Sequence, residues 1–129
     1  MAGTKTILEY EINASKRMLY PYISTASGLS QWFADDVSID EDKNFHFVWD
    51  DEVHLAKMAA HRTNSFVKFE YVDVVINGEN AYTEIRIEHN ELTQTVFLRV
   101  IDYSDIDDEE EVHELWDNII HELKEIVGG

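Results

Sequence analysis

A chain of 129 residues, 44% hydrophobic and 12% aromatic, is long enough to bury a core of its own and too apolar to stay disordered. It has no cysteine, which excludes disulfides, thiolate metal ligands and cysteine nucleophiles and suits a reducing compartment. Ten basic residues against 27 acidic ones leave a net charge of −17, a surface that repels nucleic-acid phosphates and anionic lipid.

The first residues, MAGTKTILEYEIN, lack the basic start and apolar run of a signal peptide, and no apolar stretch approaches the ~20 residues that cross a bilayer. A cytoplasmic protein with neither a nucleic-acid partner nor membrane insertion is therefore expected. The charge itself serves solubility, or forms an acidic docking face for a basic protein partner.

Along the chain, residues 4–12 alternate, with Thr6, Leu8, Tyr10 and Ile12 on one side and Glu9 and Glu11 on the other, which predicts a half-buried strand. Asn13-Ala14-Ser15 offers a helix N-cap, and Met18, Leu19, Tyr22 and Ile23 follow at helical spacing. Pro21 limits that helix to a short or kinked one. A second short helix is expected over residues 26–33, with Ser27 as cap and Leu29, Trp32 and Phe33 on its apolar side.

The period then changes to alternation. Val37 and Ile39 mark a brief strand ending in the acidic turn Asp40-Glu41-Asp42, and Phe45, Phe47 and Trp49 share one side of a strand over residues 44–49. After Asp50-Asp51 a strand runs over residues 52–61, where Ala56, Met58 and Ala60 compete with Val53 and Leu55 for the buried face. In residues 65–76, Val67, Phe69 and Tyr71 oppose Lys68 and Glu70. Asn77-Gly78 is a strong hairpin signal, because a type I′ turn needs positive φ at both central positions. Its partner strand covers residues 81–88, and after a turn at residues 89–91 a last strand covers 93–103, with Val96, Leu98 and Val100 facing one way and Phe97, Arg99 and Ile101 the other.

Residues 105–127 predict one long amphipathic helix, its apolar stripe made by Val112, Leu115, Trp116, Ile119, Ile120, Leu123 and Val127. Acidic residues crowd its start, as the helix dipole favours, and Gly128-Gly129 stop it. The expected fold is thus α+β and a single domain over residues 1–129. A curved antiparallel sheet of about six to seven strands carries two short helices after strand 1, and a long C-terminal helix lies across its concave face.

That order resembles the helix-grip fold of the START-like (SRPBCC, Bet v 1-like) superfamily, most closely its Hsp90-ATPase-activator (AHSA1-like) branch. The resemblance rests on Trp32-Phe33 in LSQWF, the aromatic strand FHFVW, Phe69 and Tyr71 in VKFEY, TVFLRV from Thr95, and Trp116 followed by Leu123-Lys124 in the last helix. It implies an apolar cavity between sheet and helix for a small hydrophobic or amphipathic ligand. A chaperone accessory acting through the acidic surface, and a cyclase- or dehydratase-like enzyme, are the other functions it implies. Leu115 stands where many relatives have glycine.

Trp32, Phe33, Phe45, Phe47, Trp49, Met58, Phe69, Tyr71, Trp116 and Ile120 are the candidate cavity lining, against the simpler reading that they only pack on one another. His113, Asp117 and His121 share a helix face, but one turned away from the apolar stripe; His46 and His54 lie on neighbouring strands. Solvated histidines are expected in both places, and no metal or other cofactor. The acids from Asp105 fail the calcium-loop pattern at its sixth and twelfth positions, Glu110 and Trp116. No G-x-S-x-G, H-E-x-x-H, phosphate loop or dinucleotide fingerprint occurs, so no catalytic residue is assigned. Glu70, Glu84, Arg86 and Arg99 are expected on the solvated face of their strands.

Overall fold

The computed structural model describes residues 3–106 and 108–128. The alternating stretches form strands β1 (Thr4–Ile12), β2 (Asp36–Ile39), β3 (Phe45–Trp49), β4 (Glu52–Arg62), β5 (Phe66–Ile76), β6 (Glu79–Asn90) and β7 (Thr95–Ser104). Helices α1 (Lys16–Ser24) and α2 (Ala26–Leu29) follow β1, and α3 (Glu109–Val127) follows β7. The strands make one antiparallel sheet in the order β1-β7-β6-β5-β4-β3-β2, so β2 to β7 form a meander and β1 returns to pair with β7.

Turn chemistry fixes the register. Asp50-Asp51 and Asn77-Gly78 close two-residue hairpins with positive φ at both positions, 51° and 65° in the first and 52° and 81° in the second. This backbone twist matches that of the flanking strands. Register breaks at Met58/Ala60 and at Glu70/Val75 bend β4 and β5, and the sheet curves around one face.

That face carries the core. Leu8, Ile12, Phe45, Phe47, Ala56, Val67, Phe69, Ile85, Ile87, Leu98 and Val100 meet Val112, Trp116, Ile120, Leu123 and Val127 of α3 in one buried cluster, joined by Leu19, Ile23 and Leu29 of the helical corner. In that corner α1 and α2 touch backbone to backbone: a Cβ at Gly28 would collide with the Pro21 carbonyl oxygen and come within 2.7 Å of Tyr22 Cα.

Several local expectations change. The second helix stops at Leu29 and is capped by Thr25, whose Oγ1 accepts from Gly28 N, not by Ser27. Helix α3 starts at Glu109, where Asp108 Oδ1 accepts from Glu110 N, later than the expected residue 105; Asp107 lies outside the described residues. Gly128 ends it at φ 94°, and Gly129 lies outside the described residues. Met18, Ile39 and Leu115 are exposed, because an apolar side chain at the margin of an amphipathic element reaches past the surface it packs on. In β4 the face is decided for Ala56, which is fully buried, while Val53 points to solvent.

Candidate ligand groove

The indole N–H groups show how the aromatic residues are held. Trp32 Nε1 donates to the Tyr22 carbonyl at 2.8 Å, Trp49 Nε1 to the Phe33 carbonyl at 2.8 Å, and Trp116 Nε1 to Asp102 Oδ2 at 2.7 Å. Each ring is thereby fixed by one polar contact and several apolar ones, Phe33 standing edge-on to Trp49 at 5.3 Å between centroids and 5.8 Å from Trp116.

Between these rings and the sheet lies a half-open groove of about 780 Å³. Its walls are the segment 30–35 after α2, Trp49 of β3, His54 of β4, Tyr71 and Val74 of β5, residues 81–83 of β6, residues 102–106 at the end of β7, and Leu115, Trp116, Asn118, Ile119 and Glu122 of α3. The lining is mostly apolar, and the volume falls within the ~300–1,000 Å³ common for ligand pockets.

One end of the groove is polar. Asp102 is paired in register with Thr6 of β1 on one side and Thr83 of β6 on the other, and the Tyr71 hydroxyl lies 2.9 Å from Thr83 Oγ1. Four strands thus contribute a row of inward polar side chains to a largely apolar face. Asp102 is only 8% exposed, yet its one hydrogen bond of full geometry among the described residues is that from Trp116. Ser104 stands beside the same carboxyl and favours its charged form, but its Oγ is buried without a full-geometry partner among the described residues, as is Thr6 Oγ1. Burial raises the Asp102 pKa above its ordinary value, against the smaller opposing effects of Trp116 and Ser104. The Tyr71 hydroxyl is pushed up as well, mainly by burial and further by the charge of Asp102.

The ten residues expected to line a cavity divide evenly. Trp32, Phe33, Trp49, Tyr71 and Trp116 border the groove. Phe45, Phe47, Phe69 and Ile120 do not; they are buried in the core, where Phe69 meets Phe45 at 5.0 Å and Phe47 at 5.3 Å, edge to face. Met58 packs against that core away from the groove. Thr6 is on the side of β1 that alternation gives it, whereas Asp102 and Thr83 carry no signal of a site, although the inward phase Val96-Leu98-Val100 continues onto Asp102.

The charged strand residues go outward: Arg99 pairs with Glu9 at 2.7 Å, Arg86 with Glu84, and Glu70 lies near Lys57 and Lys68. His46 and His54 do not meet, because His46 is in register with Leu55 while His54 is in register with Phe47 on the inner face. His46 Nε2 instead lies 2.8 Å from Asp40 Oδ2, and this contact holds the Asp40 carboxyl below its ordinary value. On α3, His113 faces Glu109, His121 faces Glu125, and Asp117 accepts from the Tyr10 hydroxyl at 2.7 Å, so the three diverge to separate partners. Among the described residues no group of three or more His, Asp or Glu side chains is placed to hold a metal, and no helix is long and apolar enough to cross a membrane.

The sequence matches no curated protein. Among solved structures, a Bacteroides fragilis protein is 38% identical over 100% of this chain and 94% of its own, with a TM-score of 0.65. An Aha1 dimer from Colwellia psychrerythraea is 17% identical over 96% of both chains, with a TM-score of 0.75, a likeness of fold. A protein of the dynemicin biosynthetic locus is 13% identical over 94% of this chain and 46% of its own, with a TM-score of 0.70, again of fold alone. The model of the START-like superfamily domain matches residues 1–129, and the chain belongs to that superfamily.

Proposed function

We propose that this START-like domain binds a small amphipathic molecule in the groove between sheet and α3, its apolar body against Phe33, Trp49 and Trp116 and its polar end toward Asp102. The observation that carries the reading is the combination of a groove of about 780 Å³ with a buried polar row at one end. Cores pack closely as a rule, so an opening of this size beside a well-packed aromatic cluster is a feature the chain maintains. A buried carboxyl with a single neutral donor is costly unless something complements it, which gives the polar end a reason to persist.

Native mass spectrometry of protein purified from its own cell tests this. A co-purifying small molecule that is displaced when Trp49 is replaced by Arg supports the reading. Absence of any ligand, together with no binding of a panel of apolar and amphipathic compounds, removes it.

A second reading has Asp102 in its favour. A carboxyl whose proton affinity is raised by burial, next to the Tyr71 hydroxyl network, has the make-up of a general acid or base acting on a groove-bound substrate. Turnover of a bound compound that is abolished in Asp102→Asn, with binding retained, separates an enzyme from a carrier.

A further inference from the structure

Among the described residues the groove carries five carboxylates, those of Asp35, Asp50, Asp102, Asp105 and Glu122, and neither Lys nor Arg. Among the described lining side chains His54 alone can become positive, and its ring stands against Trp49 at 5.5 Å with Glu52 3.7 Å away. Four of the carboxylates lie at the rim in water. Asp102 differs: it is buried at the polar end, with Oδ2 taken by the Trp116 indole and no cation beside it among the described residues. An anionic amphiphile would enter against like charge, with no Lys or Arg of the lining to receive its head. A protonated amine brings three donors and a positive charge to the place where the Asp102 carboxylate, the Ser104 hydroxyl and the indole rings converge.

We propose that the groove selects a cationic amphiphile, a protonated primary amine on an apolar or aromatic body, with Asp102 as its buried counter-ion. This rests on the reading of the groove as a ligand site and narrows it to one class of head group. Fatty acids, phosphorylated lipids and acyl thioesters of anionic carriers fall outside that class. Asp102 sets head-group charge, while Trp49 and Phe33 hold the body.

The chain has three tryptophans, Trp32, Trp49 and Trp116, and all three border the groove, so intrinsic fluorescence reports occupancy directly. The probes are phenylbutylamine, phenylbutanol and phenylbutyrate, which share a body and differ in head, titrated at near-physiological salt to screen long-range attraction. The amine is expected to bind at least roughly tenfold tighter than the carboxylate, about 1.4 kcal/mol, with the alcohol between them. Asp102→Asn keeps a carbonyl to accept from Trp116 and is expected to bring the amine to the level of the alcohol. Glu41→Gln, which removes one exposed acid away from the groove, leaves the ranking unchanged.

If the carboxylate or the alcohol binds native protein as tightly as the amine, charge selection is overturned while the ligand groove stands. Failure of all three probes to bind overturns both. An amine preference that survives in folded Asp102→Asn protein overturns the counter-ion assignment. The head-group ranking needs no variant, so it decides the matter even if Asp102→Asn does not fold.

Discussion

Phe47 and Trp49 sit two residues apart on the same side of β3, and the sequence treats them alike. Phe47 has no solvent exposure and is enclosed by Phe33, Phe45 and Phe69. Trp49 is half-buried, donates to the Phe33 carbonyl and forms a wall of the groove. One strand face therefore passes from a solid core into an open site within a single alternation. The difference lies in what stands opposite each ring: interlocked aromatic rings over Phe47, and space beneath Trp116 beside Trp49.

Substitutions at the two ends should behave differently, and Trp116, which belongs to both, should show the largest effect. Trp116→Ala is expected to cost about 3–5 kcal/mol in urea unfolding, because it opens a core cavity and leaves the buried Asp102 without its donor. An unchanged melting temperature would show that the indole supports neither region. Phe47→Ala should cost about 3–4 kcal/mol with little direct effect on groove ligands, so a binding loss far exceeding the fraction unfolded would erase the distinction between core and groove. Trp49→Phe keeps an aromatic ring and removes one hydrogen bond, worth about 1 kcal/mol of stability.

Asp102→Asn sharpens the comparison through its sign. Burial raises the Asp102 pKa above its ordinary value of 3.8, so at pH values between the unfolded and folded pKa the folded chain keeps a proton that the unfolded chain releases, and above both the folded chain carries a costly buried charge. The stability from this group is fully present below the unfolded value and is lost as pH rises through the folded one. Asp102→Asn should therefore melt above the native protein at neutral pH, and the gap should close as the pH falls toward 3.8. A native protein that outlasts the variant at every pH would show that Asp102 is satisfied by contacts beyond that from Trp116. The smallest effect is expected at His113, on the exposed face of α3, where replacement by Ala should stay within about 0.5 kcal/mol.

Much of the fold was legible because its signals are local. Alternation placed Leu8, Phe47, Val67 and Leu98 on the inner face, and Asn77-Gly78 announced a turn whose φ values only a few residues accept. Ser15 and Gly128 behave as the helix cap and stop their types imply. Errors fell at margins. Ser27 was read as a cap because the sequence does not show that Thr25 already ends α1 and can serve α2. The groove was half legible: Phe45 and Phe69 share the strand phase of Trp49 and Tyr71, as Ile120 shares the helix face of Trp116, and only packing tells them apart. Asp102 is illegible in the sequence because charges on strands mark the solvated face far more often than the buried one.

Residue order by itself determined the α+β class, the meander, the amphipathic last helix and the acidic surface, since periodicity, turn propensity and net charge are properties of neighbours in the chain. The tertiary structure alone decided where the space between α3 and the sheet is filled and where it opens, and that Asp102, Thr83 and Tyr71, from three strands, share its polar end. Those outcomes depend on the distance and angle at which distant segments meet. A sequence specifies them only through the sum of all its contacts.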